Sequence, residues 1–470
     1  MKEYIFDKLC EYSKKPRYPF HMPGHKGGRL CSFSDVYKFD ITEIDDFDNL
    51  HNASGIIKNS QERCSRLFGS DESFFMVNGS SGGNIASILA TCGDGDKIIV
   101  SRNSHRSVFS GIVLSGAEPI YIYPQVVESM GIVGEILVSD VEKVFEKNPD
   151  AKAIFITSPT YEGFTADIKA ISDIAHRYNS ILIVDEAHGS HFKFNDYFPS
   201  TALECGADIV IQSVHKTLPS LTQTSVMHIR KERVDVSRLK LALSMVQSSS
   251  PSYIFMSAMD KCCEFIETYG DKCFNDYVSL LEEYREKFSK LKNINLIGNE
   301  LCGKYGICDY DRGKLVFFIN SDDITTEEIS KMLIEKYNIQ LEAVGRNHII
   351  AMTSVADTKD GFEALYKALY EIDKDIFSSD KTIDVKSVYI KPVKKVSMRK
   401  AYFSQKERVS LEKSVGRVCG DFLIPYPPGI PLVCVGEVIT KECLSIILEY
   451  IEKGITVMGI DEDRSIQVLV

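Results

Sequence analysis

Lys216 stands where a predicted strand ends, in the segment Gln-Ser-Val-His-Lys-Thr of residues 212–217. Burial at such a place lowers the pKa of a lysine toward the neutral amine, which is the form that makes a Schiff base with an aldehyde. Ser213 and His215 are hydrogen-bond donors two residues apart, and this spacing suits one phosphate group. The segment alone also fits a surface lysine that follows a strand, so its interpretation depends on the other motifs.

Asp185 ends an earlier predicted strand, in the segment Val-Asp-Glu-Ala-His-Gly of residues 184–189. An aspartate there can pair with the ring nitrogen of a pyridine cofactor and hold it protonated, which makes the ring an electron sink. A carboxylate buried at a strand end without a partner would be costly. The alternative is an aspartate that only caps the next turn.

Glycines and hydroxyls open a predicted helix in the segment Val-Asn-Gly-Ser-Ser-Gly-Gly-Asn of residues 77–84. The free N–H groups and the dipole of such a helix start bind anions. The segment is neither a Walker loop nor a dinucleotide fingerprint, and it also fits a plain helix cap. His105 follows the next strand, where an imidazole either stacks on a flat ring or serves only the structure. With Lys216 and Asp185, these features indicate pyridoxal 5'-phosphate (PLP) as the cofactor.

Short β-branched runs alternate with helical patterns between about residues 70 and 230, which predicts a mainly parallel sheet covered on both faces. Ligands of such sheets bind beyond the carboxyl ends of the strands, where the four motifs lie. The predicted strands are residues 97–100, 119–123, 153–157, 181–184, 208–212 and 225–229.

A chain of 470 residues is too long for one core, so we expect several domains. A smaller α+β unit is predicted from a strand at residues 314–319 and helices at 280–291, 325–337 and 361–372. The expected division is an N-terminal segment (1–60), a large PLP-binding domain (61–270), a small α+β domain (271–377), a linker (378–396) and a C-terminal domain (397–470).

The composition, 44% apolar and 26% charged residues, is that of a globular protein. No stretch approaches about 20 apolar residues and the start has no signal-peptide pattern, so we expect no membrane span and a cytoplasmic location. The thirteen cysteines form no CxxC pairs beside histidines, which predicts reduced thiols and no metal site. A net charge of −11 argues against nucleic acid as a partner.

The order of the four motifs resembles the bacterial ornithine/lysine/arginine decarboxylase family, whose members have the type I, aspartate-aminotransferase-like PLP fold. Further matches spread over most of the chain: His-Met-Pro-Gly-His-Lys-Gly-Gly at residues 21–28, and the segments 40–43, 48–51, 158–163, 249–253 and 424–431.

This resemblance implies that Lys216 binds PLP as a Schiff base and that Asp185 binds the pyridine nitrogen. It further implies that His105 stacks on the ring and that His188 faces the cofactor. The implied phosphate ligands are Ser80, Ser81, Ser213 and His215. The family has its active site between two subunits, which predicts a homodimer or higher homo-oligomer in which the partner subunit supplies the segment around Tyr253.

The chain departs from the family pattern near its C-terminal proline-rich run, where Asp421 stands in place of the usual glutamate. We expect Asp421 to bind the distal cation of the substrate, with Glu162, Glu43 and Asp46 as the next candidates. Ser249 replaces a threonine and keeps the hydroxyl. Near Glu437 the usual Pro-Gly-Glu reads Val-Gly-Glu, which concerns only the local backbone.

The implied reaction is the α-decarboxylation of a basic L-amino acid. Arginine is the first choice, giving agmatine for polyamine biosynthesis, with lysine and ornithine next. Lys216, Asp185, His105 and His188 are the expected catalytic residues. One alternative is another type I PLP reaction such as transamination, with Arg346 as the arginine for the α-carboxylate. The other is a catalytically silent relative, against which the intact Lys216 and Asp185 speak.

Overall fold

A computed structural model describes residues 4–14, 36–321, 323–377, 390–426, 429–452 and 454–470. The motif at residues 21–28 lies outside these residues. So do most of the expected linker and the two prolines that follow Tyr426.

A seven-stranded sheet forms the centre of the molecule, with strand order β1-β7-β6-β5-β4-β2-β3. The strands from β2 to β6 pair in parallel, and β7 runs antiparallel between β6 and β1. The mainly parallel sheet and its six predicted strands are therefore confirmed. The strands are β1 Glu72–Met76, β2 Lys97–Ser101, β3 Glu118–Ile122, β4 Ala153–Thr157, β5 Ile181–Asp185, β6 Ile209–Gln212 and β7 Ser225–Ile229.

Helices cover both faces of this sheet, because successive side chains of a strand point to opposite faces. Ile98 and Val100 share a core with α4, α5 and α9, whereas Ile99 shares a core with α6 and α7 on the other face. The helices of this part are α1 Ile5–Lys14, α2 Val36–Phe39, α3 Ile56–Phe68, α4 Gly79–Thr91, α5 Arg106–Ser115, α6 Val138–Lys147, α7 Ile168–Arg177, α8 Val214–Thr217 and α9 Val236–Val246.

A long helix, α10 Tyr253–Phe288, connects this sheet to a second one. The expected domain boundary after residue 270 falls inside this helix of 36 residues, so the chain passes between the two sheets without a break there. The second sheet is antiparallel, with order β8-β9-β11-β10, and contains β8 Ile294–Leu296, β9 Lys314–Ile319, β10 Ala343–Val344 and β11 His348–Met352. Its helices are α11 Thr326–Tyr337 and α12 Lys359–Asp375.

The C-terminal part has its own apolar core and two short antiparallel ribbons. It contains α13 Met398–Phe403, β12 Lys406–Ser410, β13 Ile424–Tyr426, α14 Lys441–Glu452, β14 Thr456–Met458 and β15 Ser465–Leu469. A buried ion pair of 3.2 Å joins Glu437 to Arg102, directly after β2, so this part packs beside the carboxyl ends of the central strands. Among the helices of the described ranges, none combines the length and apolar character of a bilayer span.

Candidate active site

One cavity of about 940 Å³ lies beyond the carboxyl ends of the central parallel strands. Walls from the large sheet, the second sheet and the C-terminal part enclose it. Nine of the residues expected in the site line it: Ser80, Ser81, His105, Glu162, Asp185, His188, Ser213, His215 and Lys216. The fold thus brings together motifs that are far apart in the sequence.

Lys216 lies on α8, the single helical turn that follows β6. Its Nζ atom is 2.9 Å from the Nε2 atom of His188. Burial lowers the pKa of Lys216, and the charges of Asp185 and Glu342 oppose this shift. A lowered pKa increases the fraction of neutral amine, which is the nucleophilic form.

His188 lies between two lysines, because its Nδ1 atom is 3.0 Å from the Nζ atom of Lys314. Lys314 begins β9 in the second sheet and is buried. Burial lowers the pKa of Lys314 to about 8, against the charge of Asp311. Burial also holds the pKa of His188 well below its ordinary value, and the two lysine charges add to the effect. His188 is therefore a neutral imidazole at physiological pH.

Asp185 is buried at the end of β5, on the wall of the cavity. Its Oδ2 atom accepts a hydrogen bond from the Asn84 side chain at 2.8 Å, and Oδ1 accepts one from the backbone N–H of Ala187 at 3.1 Å. The second bond is the turn cap considered as an alternative. The structure combines this cap with a place in the cavity, so the two interpretations do not exclude each other.

The start of α4 gathers hydroxyl groups at one end of the cavity. The Oγ atom of Ser80 lies 2.7 Å from that of Ser213 and 2.9 Å from that of Ser225. Gly79, the first residue of α4, has a φ of +70°, a backbone conformation that favours glycine. His215 binds the carbonyl of Thr224 through Nδ1 at 2.6 Å. Helix N–H groups and serine hydroxyls together form a site suited to a phosphate.

His105 is the N-cap of α5, where its Nδ1 atom accepts from the backbone N–H of Ser107 at 3.3 Å. Burial lowers its pKa, against the charge of Asp185. A Cβ atom built on Gly429 would lie 3.4 Å from the imidazole, so the C-terminal part packs against this histidine. His105 thus combines a structural cap with a position in the cavity.

Carboxylates line the side of the cavity that faces the second sheet and the C-terminal part. The hydroxyl of Tyr161 donates to Glu342 at 2.8 Å, and Glu162 lies 3.9 Å from the Nε2 atom of His348. Glu327 and Glu449 line the same cavity. Arg346 also lies there and forms an ion pair of 3.2 Å with Glu449.

Two expected substrate residues lie elsewhere. Asp421 is outside the cavity lining, and its carboxylate accepts from the backbone N–H of Phe422 at 2.7 Å, as a turn cap does. Tyr253 is fully buried at the start of α10, where its hydroxyl donates to the carbonyl of Asp48 and its ring packs edge-on against Phe47. Neither side chain contacts the cavity within this subunit, because both are engaged by their own local packing.

Four residues that were not predicted as site residues contribute to the cavity region. Asn84 belongs to the glycine- and serine-rich segment, so its neighbours were a signal for it. Tyr161 lies in the segment 158–163 that carries part of the family resemblance, whereas Glu342 occurs in a sequence context without a motif. Lys314 opens an apolar strand, and no local pattern marks it as different from a surface lysine.

The donor set fits PLP. A lysine amine is present for the aldehyde, a buried carboxylate for the pyridine nitrogen, and a helix start with hydroxyls for the phosphate. The central sheet, with this site at its carboxyl edge, defines the class of type I PLP-fold proteins.

Comparison with known proteins gives the same class. The model of the "Orn/Lys/Arg decarboxylase, major domain" matches residues 4–304, and that of the C-terminal domain matches residues 382–457. The chain is 34% identical to an arginine decarboxylase of Bacillus anthracis and 33% identical to one of Bacillus subtilis, in both cases over 99% of this chain and 96% of the relative. The lysine decarboxylase LdcF of Francisella novicida superposes with a TM-score of 0.85 at 20% identity, over 99% of this chain and 81% of that one. The chain belongs to the ornithine/lysine/arginine decarboxylase family.

Proposed function

We propose that this protein is a PLP-dependent arginine decarboxylase that forms agmatine and CO2. The observation that carries the proposal is the placement of Asp185 and Lys216 after two adjacent parallel strands, on the wall of one cavity. Relatives at 33–34% identity over nearly the whole chain carry the name arginine decarboxylase, whereas the lysine decarboxylase LdcF is 20% identical. The product agmatine would enter polyamine biosynthesis.

When bound, PLP supplies an electron sink for the pair of electrons that the departing carboxylate leaves behind. In this proposal Lys216 binds the cofactor covalently, and Asp185 holds a proton on its ring nitrogen. Ser80, Ser213 and the start of α4 hold the phosphate. His105 would pack against the cofactor ring.

Lys216 and His188 are proposed to return the proton to the substrate Cα. With substrate in the cavity, the Nε2 atom of His188 at 2.9 Å can pass its proton to the Lys216 amine while Nδ1 takes one from Lys314 at 3.0 Å, which makes Lys216 the ammonium that protonates Cα. A neutral imidazole suits this exchange, because it has one donor and one acceptor nitrogen. Walls from both sheets and the C-terminal part surround the reacting carbon and reduce its contact with water.

Glu342 and Glu162 are proposed to bind the distal guanidinium in place of Asp421. Both carboxylates line the cavity, and the Tyr161 hydroxyl orients Glu342. A guanidinium binds carboxylates through two parallel N–H groups, a geometry that favours arginine over lysine at a suitably placed acid.

The protein is further proposed to be a cytoplasmic homodimer with the active site at the subunit interface. Ser248, Ser249 and Ser250 are exposed in the isolated subunit, so they remain available to a partner's site. Tyr253 is buried in its own subunit and would act by fixing the start of α10 below these serines.

Borohydride reduction tests the proposal directly. Reduction of the PLP-loaded protein, followed by mass spectrometry of its peptides, should place the adduct on Lys216, and Lys216→Ala should yield none. Release of CO2 and agmatine from arginine should exceed release of CO2 from lysine and ornithine. An adduct on another lysine would contradict the site, and a keto acid product without CO2 would favour transamination.

A further inference from the structure

Three nitrogen-containing side chains form a continuous chain at the back of the cavity. Lys216 lies 2.9 Å from Nε2 of His188, and Lys314 lies 3.0 Å from Nδ1 of the same ring. The two lysines come from different sheets, so the imidazole is the link between the large sheet and the second sheet at this point.

Hydrogen-bond chemistry limits the charge that this chain can carry. An ammonium group has three donors and no acceptor, and a neutral imidazole has one donor and one acceptor. His188 can therefore accept from one lysine only, and it must donate to the other. The lysine that receives this donation must offer a lone pair, so it is a neutral amine. With both contacts formed, the chain holds at most one ammonium.

The surroundings assign the ammonium to Lys314. Its Nζ atom has three acceptors within reach, namely the carbonyl of Tyr161 at 2.5 Å, the carbonyl of Thr160 at 3.4 Å and Nδ1 of His188 at 3.0 Å. The charge of the buried Asp311 favours a cation here, and the Tyr161 ring lies 5.3 Å from Nζ.

Asp311 is itself held as an anion, which keeps the ammonium at this end of the chain. Its Oδ1 atom binds the Nε2 atom of His191 at 3.1 Å and the backbone N–H of Gly313 at 2.8 Å. These contacts and the charge of Lys314 lower the pKa of Asp311 against the effect of burial. Burial lowers the pKa of Lys314 to about 8 and also lowers the pKa of Lys216, so the assignment of the ammonium rests on the three acceptors around Lys314 and not on the pKa values.

We propose that Lys314 is a positioning residue which, by donating to Nδ1 of His188, places the ring proton on Nε2 and so keeps Lys216 a neutral amine. The neutral amine is the form that can make a Schiff base with an aldehyde such as that of the cofactor. The proposal rests on the proposed function of Lys216, but its test does not need a bound cofactor.

Other titratable groups also face this chain and contribute to its charge balance. Asp185 and Glu342 act on Lys216, whereas Glu162 and Glu342 act on Lys314. His105 and His215 act on His188, and the pKa values of both are lowered by burial. Within the described part of the chain, none of these groups is hydrogen-bonded to both lysines, as His188 is.

The test measures the reactivity of Lys216 in the full chain after removal of PLP. Trace acetylation with acetic anhydride at a series of pH values, read by mass spectrometry, reports the fraction of neutral amine. In Lys314→Met the Lys216 profile should move to higher pH, with acetylation at neutral pH falling about tenfold, the change that one pKa unit makes. Lys314→Met combined with Asp311→Asn should show the same shift without leaving a buried carboxylate unpaired.

Two further variants separate the hydrogen-bonded path from simple charge repulsion. His188→Phe leaves the Lys314 charge in place but breaks the path, and it should shift the Lys216 profile as Lys314→Met does. Lys193→Met removes an exposed positive charge that pairs with Glu204 and should leave the profile unchanged. Histidine labelled with 15N, with the His188 signal assigned by its loss in His188→Phe, should show the proton on Nε2 in the unmodified chain.

Each readout can overturn the proposal. An unchanged Lys216 profile in the double variant would remove Lys314 from this role. A normal profile in His188→Phe would leave only a through-space effect. A His188 proton on Nδ1 would reverse the assignment of charge. Failure of PLP to attach to Lys216 would refute the proposed function. The acetylation profile of Lys216 and the position of the His188 ring proton would still test the role of Lys314, because neither measurement needs bound PLP.

Discussion

Replacement of Asp185 by asparagine should abolish most turnover and leave the fold intact. The carboxylate accepts two hydrogen bonds, from Asn84 at 2.8 Å and from the N–H of Ala187 at 3.1 Å. An asparagine can keep the second bond through its oxygen. Its NH2 group would then face Asn84, whose Oδ1 atom is buried without a hydrogen-bond partner and becomes an acceptor if the amide turns over. The fold should thus lose about 1 kcal/mol or less.

The catalytic effect should be larger, because an amide cannot hold a proton on the pyridine nitrogen. A hydrogen bond to a charged group contributes about 1.5–3 kcal/mol, and about 1.4 kcal/mol corresponds to one decade in rate. Loss of this contact alone lowers kcat about 10- to 100-fold. The weaker electron sink adds to this loss, because it acts on the step in which the carboxylate leaves.

The assay is CO2 release from saturating arginine, together with thermal unfolding and PLP titration of the same preparations. Glu186→Gln is the matched control, because Glu186 adjoins Asp185 but binds Gln212 at 2.6 Å and Ala202 at 2.7 Å. Burial raises the pKa of Glu186 to about 8, so this carboxyl is mostly neutral at pH 7 and a glutamine resembles it. A near-normal kcat in Asp185→Asn would mean that Asp185 is a turn cap only. A collapse of stability would contradict the rearrangement with Asn84.

Three other predictions, which use four variants, test the remaining assignments. Glu342→Gln should lower kcat/KM for arginine by about one to two decades, which is the effect of losing a charge-assisted hydrogen bond. Asp421→Ala should lower kcat/KM less. The opposite order of the two effects would return the substrate-binding role to Asp421. Tyr253→Phe should lose the bond to the carbonyl of Asp48 and cost about 0.5–1.5 kcal/mol in urea unfolding at unchanged KM; a raised KM would instead indicate contact with substrate. The pKa of Lys314 is about 8 in the folded protein and 10.5 ordinarily, so between these pH values the unfolded chain binds more protons and the contribution of Lys314 to the free energy of unfolding rises with pH. Melting curves across this window should therefore show the stability of the unmodified chain rising relative to that of Lys314→Met. A constant difference in stability between the two would refute the lowered pKa.

Strand β1, Glu72–Met76, has no β-branched residue and was not predicted. The other six strands of the central sheet could be predicted, because most of them are short β-branched runs that are buried on both faces. Their bounds in the structure differ from the predicted ones by at most a residue or two at either end. The helix before the second sheet was predicted at residues 280–291, but it begins at Tyr253 and ends at Phe288. Its first part carries polar residues on an irregular pattern, and packing against α1 and α3, not local periodicity, stabilises it.

Lys216, Asp185, His105 and the serines of α4 were recognisable because each directly follows a strand or opens a helix. Parallel strands bring their carboxyl ends to one edge, so a local position along the chain already implies a common site. Asp421 and Tyr253 were selected from a pattern of neighbours. Their exclusion from the cavity depends on how the C-terminal part and α10 pack, which no short segment encodes.

The sequence by itself thus determined the class of fold and predicted the residues at the edge of one sheet, because these follow from strand periodicity and from positions relative to strand ends. Only the tertiary structure decided that Lys314 of the second sheet meets His188, and that Glu342 with Tyr161 lines the cavity. Both contacts join residues more than a hundred positions apart. They arise from the docking of the second sheet onto the first, which depends on the packing of the whole core rather than on any local pattern.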